Sequence, residues 1–214
     1  PEQDFPGYIE ELMRCQRSEN GMFGLKIMWK HLQKLPRKCD IPCAMSDHRR
    51  LARSLQKIFG RSHFIWSRRE NKTKQAISFL KAKQTGLFTH QQMAQGDRQP
   101  DRSRLDYDFD AIQSLVHRFE AEEEHWKKVF KLGRIRPLII TYENIAKDYR
   151  GEVERALRHV GVWGNDCEIK QPDRNRKLAD DTTAEWYHRY LEDSENSEAS
   201  RGSRGTAGRS RASE

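Results

Sequence analysis

Two arginines and a serine lie near one another in a pattern suited to holding a phosphate. Arg68 and Arg69 follow the short apolar run HFIW (residues 63–66), and Ser78 lies further along in the segment NKTKQAISFLKAK. An arginine guanidinium forms paired, charge-assisted hydrogen bonds to phosphate oxygens, and a serine hydroxyl can donate a further one. The residue types and their order therefore predict an anion site in which a phosphate is held from two sides.

The elements on either side would bring these groups together. HFIW reads as a buried strand ending at Ser67, so that both arginines emerge at the carboxyl edge of a sheet, where ligands bind in open α/β folds. The helix that follows has Asn71 as its predicted N-cap, and its first turn offers N–H groups and a positive dipole end. Ser78 falls two turns into this helix, on the same face as Asn71.

Each of these residues also has a purely structural interpretation. Neighbours on an extended edge point in opposite directions, so one of the two adjacent arginines is predicted to be a surface charge. Ser78 could instead donate a hydrogen bond to the carbonyl four residues earlier, and Lys72 and Lys74 are predicted to be solvated. The pattern gains specificity only through its position after a buried strand.

The remaining elements predict an α/β fold. Helical periodicity is clearest in residues 108–132, whose apolar side chains form one stripe with acidic residues opposite. Further helices are predicted at 6–18, 51–59, 152–162 and 182–192. Strands that pass into helices are predicted at 22–35 and 137–144, and a long loop is predicted at 86–106. Strands that alternate with helices indicate a parallel sheet covered on both faces.

Composition and charge narrow the class of partner. The 214-residue chain carries a formal net charge of +8, which favours anionic partners. Nucleic-acid binding is not expected, because net charge is all that favours it, and no apolar run approaches the ~18 residues of a membrane span. The four cysteines lack zinc spacing and no carboxylate pair demands an ion, so no metal site is predicted. The cysteines are read as thiols of a cytoplasmic protein, with a Cys39–Cys43 disulfide as the alternative.

The chain is predicted to contain one folded domain, residues 1–192, and a disordered tail, residues 193–214. From Asp193 onward almost all residues are polar or small, and such a segment cannot bury enough apolar surface to offset its ordering entropy. The tail holds four arginines and four acidic residues. Since the tail is neutral, the basic excess belongs to the folded part.

Several segments together resemble a known family. The sequence IWSRRENKTKQAISFLKAKQTGLF is preceded by GMFGLKIMW and followed by YDFDAIQSLVHRFEAEEEHWKKVF, IITYENI and RNRKLADDTTAEWYHRYL. This series resembles the sulfotransferases of the trehalose-sulfating family, which use 3′-phosphoadenosine-5′-phosphosulfate (PAPS), and the resemblance covers residues 1–192. It implies a P-loop-kinase-like, three-layer α/β fold with a parallel sheet flanked by helices. It also implies an enzyme with PAPS as sulfuryl donor, a small sugar acceptor resembling trehalose or glucose, a homodimer and no metal.

The resemblance also implies roles for single residues. Arg69 and Ser78 match the arginine and the serine with which the family binds the 3′-phosphate of PAPS. Arg176, beside Lys177 in RNRKLAD, occupies the place of a basic residue that helps at the same phosphate. On this basis the layout of an arginine followed by a helical serine resembles the 3′-phosphate half of a PAPS site.

Two departures from the family pattern concern the chemistry. The family's N-terminal strand–loop–helix, whose loop cradles the 5′-phosphosulfate, has no counterpart, and the sequence PEQDF matches the segment just after it. Gln3 stands in the register of the glutamate that takes the acceptor proton, and an amide cannot act as a base. Either Glu2 serves instead, or the chemistry is impaired. The expected function is a carbohydrate sulfotransferase, as a truncated or inactive member, and the alternative is a non-catalytic nucleotide- or polyanion-binding relative.

Overall fold

The computed structural model of the protein describes residues 5–35, 47–60, 62–88, 105–164, 167–170 and 181–206. Its helices are Phe5–Cys15 (α1), Trp29–Leu32 (α2), His48–Phe59 (α3), Lys72–Thr85 (α4), Phe109–Gly133 (α5), Tyr142–Lys147 (α6), Tyr149–His159 (α7) and Asp181–Thr206 (α8). Its strands are Ile65–Arg68 (β1) and Leu138–Thr141 (β2). None of these helices combines the length and the apolar character needed to cross a membrane.

The two strands form a small parallel sheet. Their register runs from Ile65 opposite Leu138 to Arg68 opposite Thr141. The fold is therefore mixed α/β and mostly helical, with the parallel pairing that the sequence predicts. Because both strands run in the same direction, Arg68 and Thr141 mark the same carboxyl edge, and each is followed along the chain by a helix.

Strand β1 differs from the predicted strand in two respects. It begins at Ile65 rather than His63 and includes Arg68, because the pairing with β2 sets its ends and not the extent of the apolar run. Its side chains are only partly covered, and Ile65 is 43% exposed. The predicted strand is therefore present with shifted ends, and the prediction that it is buried is wrong.

Residues 22–28, where the sequence predicts a strand, form none in the structure. Leu25 and Met28 are 48% and 46% exposed, while Ile27 packs against the core that contains Trp29. An apolar run becomes a strand only where another strand offers it a ladder of hydrogen bonds, and in the described part of the chain the sheet consists of β1 and β2 alone.

The chain divides into two compact units, each with its own core. Unit 1 comprises residues 1–68 and 121–169, and unit 2 comprises residues 69–120 and 170–214. The core of unit 1 draws on α2, α3 and the second half of α5, with Trp29, Leu32, Leu35, Leu51, Ala52, Leu55 and Val129. The core of unit 2 draws on α4, the first half of α5 and α8, with Ala76, Ile77, Leu80, Ile112, Val116, Phe119, Trp186 and Tyr190. One face of α4, with Ala76, Ile77 and Leu80, is therefore buried in this core.

Helix α8 continues past residue 192, the predicted end of the folded domain, and ends at Thr206. At the start of the predicted tail, the Tyr107 hydroxyl donates a hydrogen bond to an Asp193 carboxylate oxygen at 2.7 Å. Burial of the phenol and this hydrogen bond raise the pKa of Tyr107. The structure thus has helix where the sequence predicts the beginning of a disordered tail, and residues 207–214 lie outside the described part.

Candidate functional site

The candidate site begins where β1 gives way to α4. Arg69 is the first residue after the strand; its side chain is partly buried, and its carbonyl accepts a hydrogen bond from the Lys72 ammonium. Asn71 caps the helix, because its side-chain oxygen accepts a hydrogen bond from the Lys74 N–H at 2.7 Å. The predicted N-cap is confirmed. Arg69 therefore lies two residues before the cap, at the positive end of the helix dipole, where an anion is favoured.

The neighbouring Arg68 has a structural partner. Its Nη2 lies 2.8 Å from Oε1 of Glu123, and the two side chains are 27% and 10% exposed. The guanidinium also lies over the Trp66 ring, 5.3 Å from its centroid, and Lys127 Nζ approaches the same Glu123 oxygen at 3.3 Å. The prediction that one of the two arginines is a surface charge is therefore wrong, because Arg68 secures the strand end through a half-buried ion pair and Arg69 is partly buried as well.

The two lysines in the first turn of α4 differ in their surroundings. Lys72 is partly buried and donates to a backbone carbonyl, so the prediction that it is solvated is wrong. Lys74 is exposed, as predicted, and its Nζ lies 4.8 Å from the centroid of the Tyr187 ring. The Tyr187 hydroxyl accepts a hydrogen bond from Asn71 Nδ2 at 3.3 Å. Tyr187 is thus a part of the site that the sequence analysis missed. In the sequence, its role is indicated only by its position next to Trp186, because Trp186 belongs to the same core as α4.

Ser78 lies two turns into α4 and is partly buried. Within the described residues its hydroxyl does not bond back to the Lys74 carbonyl, whereas Thr85 on the same helix does donate to the carbonyl of Lys81, at 2.9 Å. Three residues before Ser78, the Oε1 atom of Gln75 is buried and has no hydrogen-bond partner in the described part of the chain.

The segment that carries these groups is strongly basic. From residue 69 to residue 85 it contains one acidic side chain, Glu70, and five basic ones, namely Arg69, Lys72, Lys74, Lys81 and Lys83. Lys81 donates to the Thr183 hydroxyl at 2.9 Å. A local excess of cations on one element raises the concentration of anionic ligands near it.

Four residues singled out from the sequence are not placed by the structure. Glu2, Gln3, Arg176 and Lys177 lie outside the described residues. In the structure Arg69 shortly precedes the capped end of α4, and Ser78 lies two turns into the same helix. The roles of Arg69 and Ser78 at a phosphate stay predictions, as do those of Glu2, Gln3 and Arg176.

Replacing Asn71 by alanine is expected to lower the free energy of unfolding by about 1 kcal/mol, because α4 loses its N-cap. The Asn71→Asp variant keeps an oxygen that can accept from the Lys74 N–H, and it is the matched control. Urea denaturation of both variants measures the difference. Equal stability of the alanine and aspartate variants would show that the cap does not stabilise the helix.

Comparison with known proteins identifies one family. The sequence profile described as Stf0 sulphotransferase matches residues 3–193. A trehalose 2-sulfotransferase of Mycolicibacterium smegmatis is 25% identical over 182 residues, which cover 84% of this chain and 64% of that protein. A trehalose 2-sulfotransferase of Mycobacterium tuberculosis (strain Erdman) is 26% identical over 184 residues, which cover 85% of this chain and 65% of that protein. The chain thus spans just under two thirds of the length of these curated relatives.

Proposed function

The chain belongs to the Stf0 sulphotransferase family, and we propose that it forms the 3′-phosphate half of a PAPS site in a carbohydrate sulfotransferase. The proposed reaction moves a sulfuryl group from PAPS to a hydroxyl of a small sugar resembling trehalose or glucose. The observation that carries the proposal is the arrangement at the start of α4, where Arg69 precedes a capped helix bearing Ser78. Similarity to two trehalose 2-sulfotransferases supports the class of acceptor.

The described residues fit the anionic part of PAPS in their chemistry. Arg69 offers a guanidinium for charge-assisted hydrogen bonds, and Ser78 offers a neutral donor on the helix that follows. Both groups lie on a single helix and the residues that lead into it.

The role of these residues in the proposed reaction is positioning. When bound, PAPS supplies the sulfuryl group and departs as adenosine 3′,5′-bisphosphate. Arg69 and Ser78 hold the 3′-phosphate, which takes no part in bond making, and so fix the direction of the nucleotide. Arg176 is proposed as a second cation at the same phosphate. Glu2 is proposed to take the proton of the acceptor hydroxyl, because a carboxylate can act as a base and the neighbouring amide of Gln3 cannot.

The proposal extends to the architecture and the assembly. The parallel β1–β2 pair, with a helix after the carboxyl end of each strand, is compatible with a P-loop-kinase-like, three-layer fold. An experimental structure in which no further strand joins this pair would contradict that arrangement. A homodimer is proposed from the family resemblance, and sedimentation equilibrium that gives only the monomer mass would rule it out.

Calorimetry with adenosine 3′,5′-bisphosphate tests the proposed site. The Arg69→Gln variant is expected to bind the bisphosphate about 10- to 100-fold more weakly, since it loses hydrogen bonds to a charged group. The Ser78→Ala variant loses one neutral donor and is expected to bind about 2- to 10-fold more weakly. The control is Arg53→Gln, which removes an exposed arginine of α3 and is expected to change the affinity little.

A second ligand separates recognition of the 3′-phosphate from recognition of the rest of the nucleotide. Adenosine 5′-monophosphate lacks the 3′-phosphate, so its affinity should be the same for the unmodified protein and for both site variants. The site assignment is refuted if Arg69→Gln binds the bisphosphate as tightly as the unmodified protein, or if Arg53→Gln weakens binding just as much.

A further inference from the structure

We infer that unit 1 carries a second anion site, which takes sulfate, phosphate or a small molecule bearing one such group, at the amino edge of the β1–β2 pair. A cleft of about 300 Å³ lies there, where the chain enters the two strands. Six polar residues of the described chain line it. They lie at the end of α3, in the segments just before β1 and β2 and at the last position of α7, namely Gln56, Ser62, His63, Arg134, Arg136 and His159. Arg69 follows the opposite end of β1, so this cleft is not the site proposed above.

The cleft is basic. Arg134 and Arg136 are both exposed, and neither forms an ion pair with an acidic residue in the described part of the chain. The described lining contains no aspartate or glutamate. Two guanidinium groups and the His63 imidazole around one small cleft provide donors that match the oxygens of a tetrahedral oxyanion.

Hydrogen bonds that do not involve the arginine side chains hold the walls of the cleft. Gln56 Nε2 donates to the Gly133 carbonyl at 3.1 Å, which ties the end of α3 to the end of α5. His159 Nε2 lies 3.1 Å from the Phe64 carbonyl, and because a carbonyl only accepts, this nitrogen carries the proton. The His63 ring packs edge-on against His159, with ring centroids 5.5 Å apart. A cleft fixed in this way needs little ordering when a ligand enters.

The backbone of Arg134 positions its side chain at the cleft. Its φ angle is +53°, and among the described residues it is the one residue other than glycine with a positive φ. This conformation is unfavourable for an arginine and favourable for glycine or asparagine. It ends α5, because the Ile135 N–H donates to the Phe130 carbonyl at 2.9 Å and the Arg134 N–H donates to the Lys131 carbonyl at 3.3 Å. The end of the helix thus fixes the point from which the Arg134 side chain reaches the lining of the cleft.

Equilibrium dialysis of the 214-residue protein against radiolabelled inorganic sulfate, and separately against inorganic phosphate, tests the site at constant ionic strength. The variant is Arg134→Asn with Arg136→Gln, because asparagine tolerates the left-handed backbone. Its affinity for the anion that binds is expected to fall by about tenfold or more. The matched control is Arg49→Gln with Arg53→Gln, which removes two exposed arginines of α3 outside the cleft and is expected to change the affinity less than about twofold.

The outcomes distinguish a specific anion site in the cleft from nonspecific electrostatic attraction and from binding at Arg69. The inference is supported if the cleft variant loses binding while the control and Arg69→Gln keep it. The anion that binds more tightly then identifies whether the site prefers a sulfate or a phosphate group. An equal loss in the control would show that only net charge matters and would overturn it. A loss in Arg69→Gln alone would place the anion at the other end of β1, and no binding of either anion at millimolar concentration would also overturn it.

Discussion

Replacing Arg68 by methionine is expected to lower the free energy of unfolding by about 3 kcal/mol. Methionine keeps an apolar stem over the Trp66 ring but leaves Glu123, whose side chain is 10% exposed, without its closest described cation. A buried carboxylate that loses its partner typically destabilises a protein by about 3–5 kcal/mol. Lys127 Nζ, at 3.3 Å from the same oxygen, keeps the expected loss at the lower end of that range. Urea denaturation followed by tryptophan fluorescence measures it.

Two further variants show whether the ion pair is the cause. Arg53→Met removes an exposed arginine and is expected to change the free energy of unfolding by less than about 0.5 kcal/mol. The double variant Arg68→Met with Glu123→Leu removes both charges, so most of the lost stability should return. A loss below about 1 kcal/mol for Arg68→Met would mean that the ion pair does not secure the end of β1.

Replacing Glu2 by glutamine is expected to lower the proposed sulfuryl transfer by about 100- to 10,000-fold. The reason is that the acceptor hydroxyl becomes nucleophilic only when a base takes its proton, and Glu2 is the proposed base. Transfer from radiolabelled PAPS to trehalose and to glucose measures the rate. Calorimetry with adenosine 3′,5′-bisphosphate should give an unchanged affinity, which separates loss of the base from loss of binding.

The Gln3→Glu variant distinguishes the two interpretations of this segment. If Glu2 is the base, a second carboxylate at residue 3 is not needed and should not raise the rate. If the family register holds and the chemistry of the chain is impaired, Gln3→Glu should raise the rate while Glu2→Gln leaves it unchanged. That pair of results would contradict the role proposed for Glu2.

Features that depend on residues close to one another in the sequence could be predicted from the sequence. Asn71 was predicted as an N-cap because its side chain needs only the amides of the following turn. The long helix predicted at 108–132 is observed at Phe109–Gly133, because a stripe of apolar residues repeated over many turns has one stable way to be buried. Membership of the sulphotransferase family was also visible, since its segments occur in order along the chain.

The parts that depend on distant residues could not be predicted in this way. The partner of Arg68 is Glu123, on a helix whose position relative to β1 follows from packing in unit 1. Tyr187 meets Asn71 across a separation of 116 residues, so neither residue carries a sign of the other. The strand predicted at 63–66 was displaced for a related reason, because its ends follow from pairing with β2 and not from its own side chains.

The parallel pairing of β1 with β2 also bears on the order in which the protein folds. The strands are separated in the chain by α4 and α5, so their pairing closes a loop of roughly 70 residues, and the entropy lost in that closure is worth about 4 kcal/mol. Helices form through hydrogen bonds between near neighbours and do so faster than strands that meet across such a loop. We therefore expect the strand end that leads into Arg69 to take its final place only after the helices have formed, so that this end of β1, next to the proposed phosphate site, is among the last parts of the molecule to be completed.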